Sequence, residues 1–133
     1  MSVSVLDYYD RAMVRSLSNA LFAFGDNMLR TGYGGQARAC RGEPNAVGIP
    51  TKWRPNRDAG AYFTDDDYDE VIPEIDRALT QLEAHHEKGG IIVLPTHGIG
   101  TGLAELKTRA PKIDTYLQGR LSKLYKQARK SYR

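Results

Sequence analysis

Two glycine-rich stretches stand out as the part of this sequence best suited to chemistry. The first is Thr31-Gly32-Tyr33-Gly34-Gly35 and the second runs Gly98-Ile99-Gly100-Thr101-Gly102. Glycine lets backbone N–H groups approach an anion without side-chain interference, and successive N–H groups form a concavity suited to phosphate. Neither stretch is a Walker loop, which needs Gly-Lys-Ser/Thr, nor a dinucleotide-binding GxGxxG after a first strand. A glycine turn that binds nothing is the plainer reading of either one alone. Two on the same edge of a sheet could grip a diphosphate. Asn27 can hydrogen-bond a sugar hydroxyl or cap a turn. His97 can act as a catalyst or as a loop hydrogen-bonder.

The elements that must position these residues alternate between strand and helix. Val3–Leu6 alternates weakly and fits a first strand, and Asp10–Ser18 a short helix or turn. Ala20–Phe24 is an apolar run that Gly25-Asp26-Asn27 should end in a polar turn. Gln36–Arg41 opens a helix off the first glycine loop. Ala46–Pro50 is a second short strand with Thr51-Lys52 at its end. Thr64 followed by three aspartates reads as an N-cap, and apolar spacing predicts a helix from Tyr68 to Gly89-Gly90. Pro73 fits there only in the first turn or at a kink. Ile91–Leu94 is the clearest strand, and a last helix spans about Lys112–Lys130. Short apolar strands between helices predict an α/β fold whose sheet is covered on both faces. Ligands of such sheets sit beyond the carboxyl ends of the strands. Gly25–Asn27, Thr51-Lys52 and Thr96–Leu103 all fall there.

Composition bounds the rest. The chain has 133 residues, 41% hydrophobic and 26% charged. That suits a single domain over residues 1–133, which buries roughly 65–70% of its unfolded surface. No apolar run reaches the ~20 residues of a membrane span, and the N-terminus lacks a signal-peptide core. A single cysteine, Cys40, excludes an internal disulfide, and one Cys with three His does not make a structural zinc site. The expectation is a cytoplasmic, metal-free globule. The net charge of +3 hides an asymmetry. From residue 107 onward nine Lys/Arg face one acid, Asp114, while eight acids and no base lie between Asp58 and Asp76. Such a tail can attract nucleic-acid phosphate, or can be a solvated helix end.

These motifs resemble the macrodomain family. Phe22-Ala23-Phe24-Gly25-Asp26-Asn27 followed by Gly34-Gly35-Gln36-Ala37 resembles its strand–Asn and Gly-Gly-x-Ala signature. Leu94-Pro95-Thr96-His97-Gly98-Ile99-Gly100-Thr101-Gly102-Leu103 resembles its second loop. Gly48-Ile49-Pro50-Thr51-Lys52 is similar to the middle strand of the lysine-dependent subclass. That subclass removes terminal ADP-ribose from proteins and from DNA. Short phage and bacterial macrodomain-like proteins share the look. The resemblance covers about residues 1–125 and implies a three-layer α/β/α sandwich with a mixed central sheet.

It also implies an ADP-ribose pocket with no metal and no cofactor. Asn27, Gly32, Gly34, Gly35 and Gln36 would line it from the first motif, and Thr51 from the middle strand. Thr96, Gly98, Ile99, Gly100, Thr101, Gly102 and Leu103 would line it from the second. Asp10, an acid after the first strand, would meet the adenine amino group. Lys52 would be catalytic, attacking the anomeric carbon of the distal ribose. The subclass carries Asp after Gly-Leu in the second loop. Here that position is Ala104, and Glu105, one residue on, is the acid that could move protons. The expected function is therefore binding of ADP-ribose, or of an ADP-ribosylated protein or nucleic acid, with lysine-dependent hydrolysis of the linkage. The alternative is a non-catalytic binding or sequestering module. A third reading is a phosphatase acting on a phosphorylated ADP-ribose.

Overall fold

The structure of the protein, a computed structural model, describes residues 3–131, with side chains through residue 128. Four strands, β1 (Val3–Leu6), β2 (Ala20–Asn27), β3 (Ala46–Lys52) and β4 (Ile91–Pro95), form one sheet in the order β1-β4-β2-β3. All three pairings are parallel, so the sheet is not the mixed one expected. The reason lies in the connections. Helix α1 (Arg11–Ser16) joins β1 to β2, α2 (Ala37–Cys40) joins β2 to β3, and α3 (Tyr68–Glu87) joins β3 to β4. Each crossover carries the chain back to the end where the previous strand began, so successive strands run the same way. A short helix, α4 (Leu106–Arg109), and the long α5 (Pro111–Ser131) follow the last strand.

Apolar side chains meet on both sides of the sheet. Ala23, Val47, Ile49, Ile92 and Leu94 pack against α3 and α5, which contribute Val71, Ile75, Leu79 and Leu82, and Ile113, Leu117 and Leu121. Each of the larger ones contributes about 1.5–3 kcal/mol by leaving water. The alternate strand positions Phe22, Phe24 and Val93 face the other way, onto Tyr9, Val14 of α1 and Ala37, Ala39 and Cys40 of α2. No helix among the described residues is long and apolar enough to cross a membrane.

Two sequence signals end differently from expectation. Gly25-Asp26-Asn27 does not turn the chain but continues β2, pairing with β3 as far as Lys52 through an irregularity at Asp26/Asn27. Polar residues are stable in this strand end because their side chains find partners there. Pro73 sits inside α3 beyond its first turn, on an exposed position where the missing N–H leaves its carbonyl partner to water. The start of α3 agrees with the reading. Thr64 N donates to Asp67 Oδ2 at 2.8 Å, which caps the 3-10 turn Asp65–Asp67 that leads into the helix.

Tyr9 ties the middle of the sheet together. Its ring lies edge-on to Phe22, with centroids 5.2 Å apart, and its hydroxyl donates to the carbonyls of Ala23 at 3.0 Å and Val93 at 3.2 Å. Burial raises the phenol far above its ordinary pKa, so it stays a donor. Tyr9→Phe should lower unfolding stability by about 1–2 kcal/mol, seen as a lower urea midpoint at unchanged slope. An unchanged midpoint would show that these carbonyls do not need the hydroxyl.

Candidate functional site

At the carboxyl ends of β2, β3 and β4 the two glycine stretches enclose a cavity of about 360 Å³. The first forms its wall through Gly32, Gly34, Gly35 and Gln36, and the second through residues 97–104. Asn27, Thr51 and Lys52 line it from the strand ends. The expected motifs therefore converge on one space, although Gly35 and Gly98, the facing ends of the two stretches, lie more than 60 residues apart in the chain. Three of the expected residues lie elsewhere. Asp10 caps α1, accepting from Met13 N at 2.7 Å, and borders a separate cavity of about 720 Å³ with Tyr8 and Tyr33. Thr96 is exposed beside β1, where its N–H donates to Leu6 O at 2.9 Å. Glu105 is outside the wall, paired with Arg109 at 2.9 Å.

The two loops share an electrostatic property. The backbone N–H groups of Gly32, Gly34, Gly35 and Gln36 have no acceptor among the described residues, and neither do those of residues 99–104. Unaccepted N–H groups are costly unless water or a ligand meets them. Two such rows around one cavity favour an anion there. Both loops are held from behind. Thr101 Oγ1 donates to His97 O at 2.6 Å, and Gln118 of α5 donates to Ile99 O at 2.8 Å. Asn27 serves the first loop, donating to Thr31 O at 2.8 Å and accepting from Thr31 N at 3.4 Å. It caps the turn with both ends of its amide while also lining the cavity.

Sequence reasoning missed the strongest of these braces. Arg41 Nη2 meets Asp26 Oδ1 at 2.6 Å and Thr31 O at 3.0 Å, and Nε meets Gly32 O at 2.6 Å. Arg30 adds a contact to Asp26 Oδ2 at 3.2 Å. Asp26 was findable, because period two from Phe22 and Phe24 places it on the α2 side. Arg41 had no local signal, since its partners are brought to it by the fold.

Lys52 is 8% exposed and ends β3 at the cavity wall. Its Nζ donates to Asn56 O at 2.7 Å and lies 4.5 Å from the Tyr62 ring centre. Burial holds the amine below the ordinary lysine range. The positive charges of Arg57 and Arg109 act the same way, and Glu105 opposes them. A lysine so placed reaches its neutral, nucleophilic form at lower pH than a surface lysine does.

Residues 5–120 match a family of unknown function, DUF7831. No curated protein and no solved structure matches the chain.

The geometry separates structural from open glycines. Gly100 has φ +84°, and a Cβ there would meet Leu106 Cδ2 at 3.0 Å. Gly34 has no atom within 4 Å of its Cβ position. Gly100→Ala should cost about 1–2 kcal/mol of stability, and Gly34→Ala less than about 0.5 kcal/mol, measured by urea unfolding. Equal effects would mean that the second loop is not held as described.

Proposed function

We propose that this chain, which belongs to the family of unknown function DUF7831, binds ADP-ribose or an ADP-ribosylated substrate and hydrolyses the ADP-ribosyl linkage through Lys52. One observation carries the reading: two loops whose N–H groups have no acceptor among the described residues line the same cavity as a buried lysine. The loops suit a diphosphate and the lysine suits the sugar beyond it. The macrodomain resemblance of the motifs supports it, as do helices on both sheet faces, which suit a three-layer arrangement. Adenine would extend past Gly34 and Gly35 toward the neighbouring cavity, where Asp10 stands with Tyr8 and Tyr33.

In this mechanism the neutral Lys52 amine gives its lone pair to the anomeric carbon of the distal ribose. The acceptor leaves with the bonding pair and takes up a proton. The glycosylamine opens to a Schiff base, and water then releases ADP-ribose and restores the amine. Glu105 touches Lys52 through its charge rather than by lining the cavity. The absence of a carboxylate at Ala104 favours the second reading, a binding module without turnover.

Gly102 has open space at its Cβ position. Gly102→Val should therefore fold normally yet weaken ADP-ribose binding at least tenfold by calorimetry, about 1.4 kcal/mol. Lys52→Ala should keep binding within a few-fold and abolish turnover, and borohydride should trap a sugar adduct on the wild type alone. Unchanged affinity in Gly102→Val would reject the cavity. Binding without turnover on any ester- or base-linked ADP-ribose would leave the binding module.

The basic tail adds a nucleic-acid reading. Arg120 is paired with Asp76 and Glu83, but Lys123 and Lys126 are exposed on α5. The side chains of Arg129 and Lys130 lie outside the described residues. A DNA-linked substrate should then bind with a steep salt dependence that Lys123→Gln with Lys126→Gln flattens. A salt-independent affinity would leave α5 as a solvated helix.

A further inference from the structure

Tyr62 is 6% exposed and is reached by two cations. Lys52 Nζ lies 4.5 Å from its ring centre and Arg109 Cζ 3.7 Å, both inside cation–π range. The backbone places the ring beside Lys52, since Lys52 and Tyr62 form an antiparallel bridge and Trp53 N donates to Ala61 O at 2.8 Å. Arg109 is in turn held by Glu105, with Nε 2.9 Å from Oε1. Glu105 adopts φ +49°, a left-handed backbone that a non-glycine residue rarely takes, and this sets where its carboxylate stands. The charged groups acting on Lys52 are Arg57 from the loop after β3, and Glu105 and Arg109 from the segment after the second glycine loop. A free carboxylate in that set would hold the amine as an ammonium ion.

We propose that Arg109 and Tyr62 are positioning residues for the Lys52 amine: Tyr62 seats the amine against its ring, and Arg109 takes up the Glu105 carboxylate, whose free negative charge would favour the ammonium form. The assignment rests on the reading of Lys52 as the reactive amine. It gives Glu105, outside the cavity wall, a role that needs no contact with substrate. The Lys52 amine makes its own hydrogen bond to the Asn56 carbonyl, while the Glu105 carboxylate is taken up by Arg109.

The test is the rate at which acetic anhydride labels Lys52 in the full chain, followed by peptide mass spectrometry across pH. In the wild type the midpoint should lie below the ~10.4 of an ordinary lysine. Arg109→Gln removes a cation and frees Glu105, so the midpoint should rise and labelling at pH 8 should fall three- to tenfold. Adding Glu105→Gln to that variant should bring labelling back to within twofold of wild type. Tyr62→Leu, which keeps the apolar burial but loses the ring's attraction for the ammonium form, should move the midpoint further below the ordinary value, whereas Tyr62→Phe, which keeps the ring, should not. A merely structural Arg109 would change the melting temperature and leave the midpoint in place, and that result in a folded Arg109→Gln overturns the proposal. So does failure of Glu105→Gln to restore labelling. The assay contains no ADP-ribose, so shifted midpoints in a protein without turnover support this assignment while rejecting hydrolysis.

Discussion

The site depends on one buried carboxylate. Asp26 is 7% exposed at the end of β2, and its oxygens accept from Arg41, Arg30 and the backbone N–H of Asn27. Through Arg41 it reaches the carbonyls of Thr31 and Gly32, so the strand end, the first glycine loop and the residue after α2 form one unit. Through Arg30 it reaches the carbonyl of Gly48 on β3. A Cβ at Gly48 would sit 2.5 Å from Asp26 Oδ2, so β3 needs glycine where the carboxylate packs. Removing one partner of such a buried pair typically costs about 3–5 kcal/mol, because the other charge is left uncompensated. The same network can hold a flexible loop in a single shape, with its carbonyls turned to the arginine and its N–H groups left over for a ligand.

The second loop is held by apolar packing instead of charge. Ile99 and Leu106 are buried in the core with α5, and Leu106 N donates to Gly100 O at 3.2 Å. The two jaws thus differ physically. One rests on a buried ion pair and its hydrogen bonds, the other on apolar burial. Part of the charge asymmetry along the chain is also resolved inside the fold. Arg120 of the basic tail bridges Asp76 and Glu83 of α3, and Lys112 lies 5.1 Å from the Tyr68 ring centre. A tail that looks strongly cationic as a string is less so as a surface.

Much of this was legible in the residues. The strand at Ile91–Leu94, which the structure extends to Pro95, and the capped start of the helix near Tyr68 follow from local patterns, and the meeting of the two glycine loops from the rule that ligands sit beyond the carboxyl ends of such strands. Those patterns act over a few residues, which is why they read correctly. The mixed sheet was what the resemblance implied, whereas the alternation of strand and helix along the chain already carried the parallel crossovers that the fold has. Gly25-Asp26-Asn27 looked like a turn because its polarity is local, whereas the arginines that make it a strand end are distant in sequence. The short helix at Leu106–Arg109 and the Tyr62 contacts were missed for the same reason: only the tertiary fold brings Arg109 onto that ring. Glu105 was legible as an acid near the second loop, but its pairing with Arg109 was not.

The central claim is that the leftover N–H groups of both loops form one anion site. It is tested most directly by amide spectra of the ¹⁵N-labelled protein titrated with ADP-ribose and, separately, with inorganic pyrophosphate. The account predicts that the amides of Gly32, Gly34, Gly35 and Gln36 and of residues 99–104 shift together along one binding curve. Saturable binding that leaves those amides unmoved, or moves only residues of α5, would contradict it.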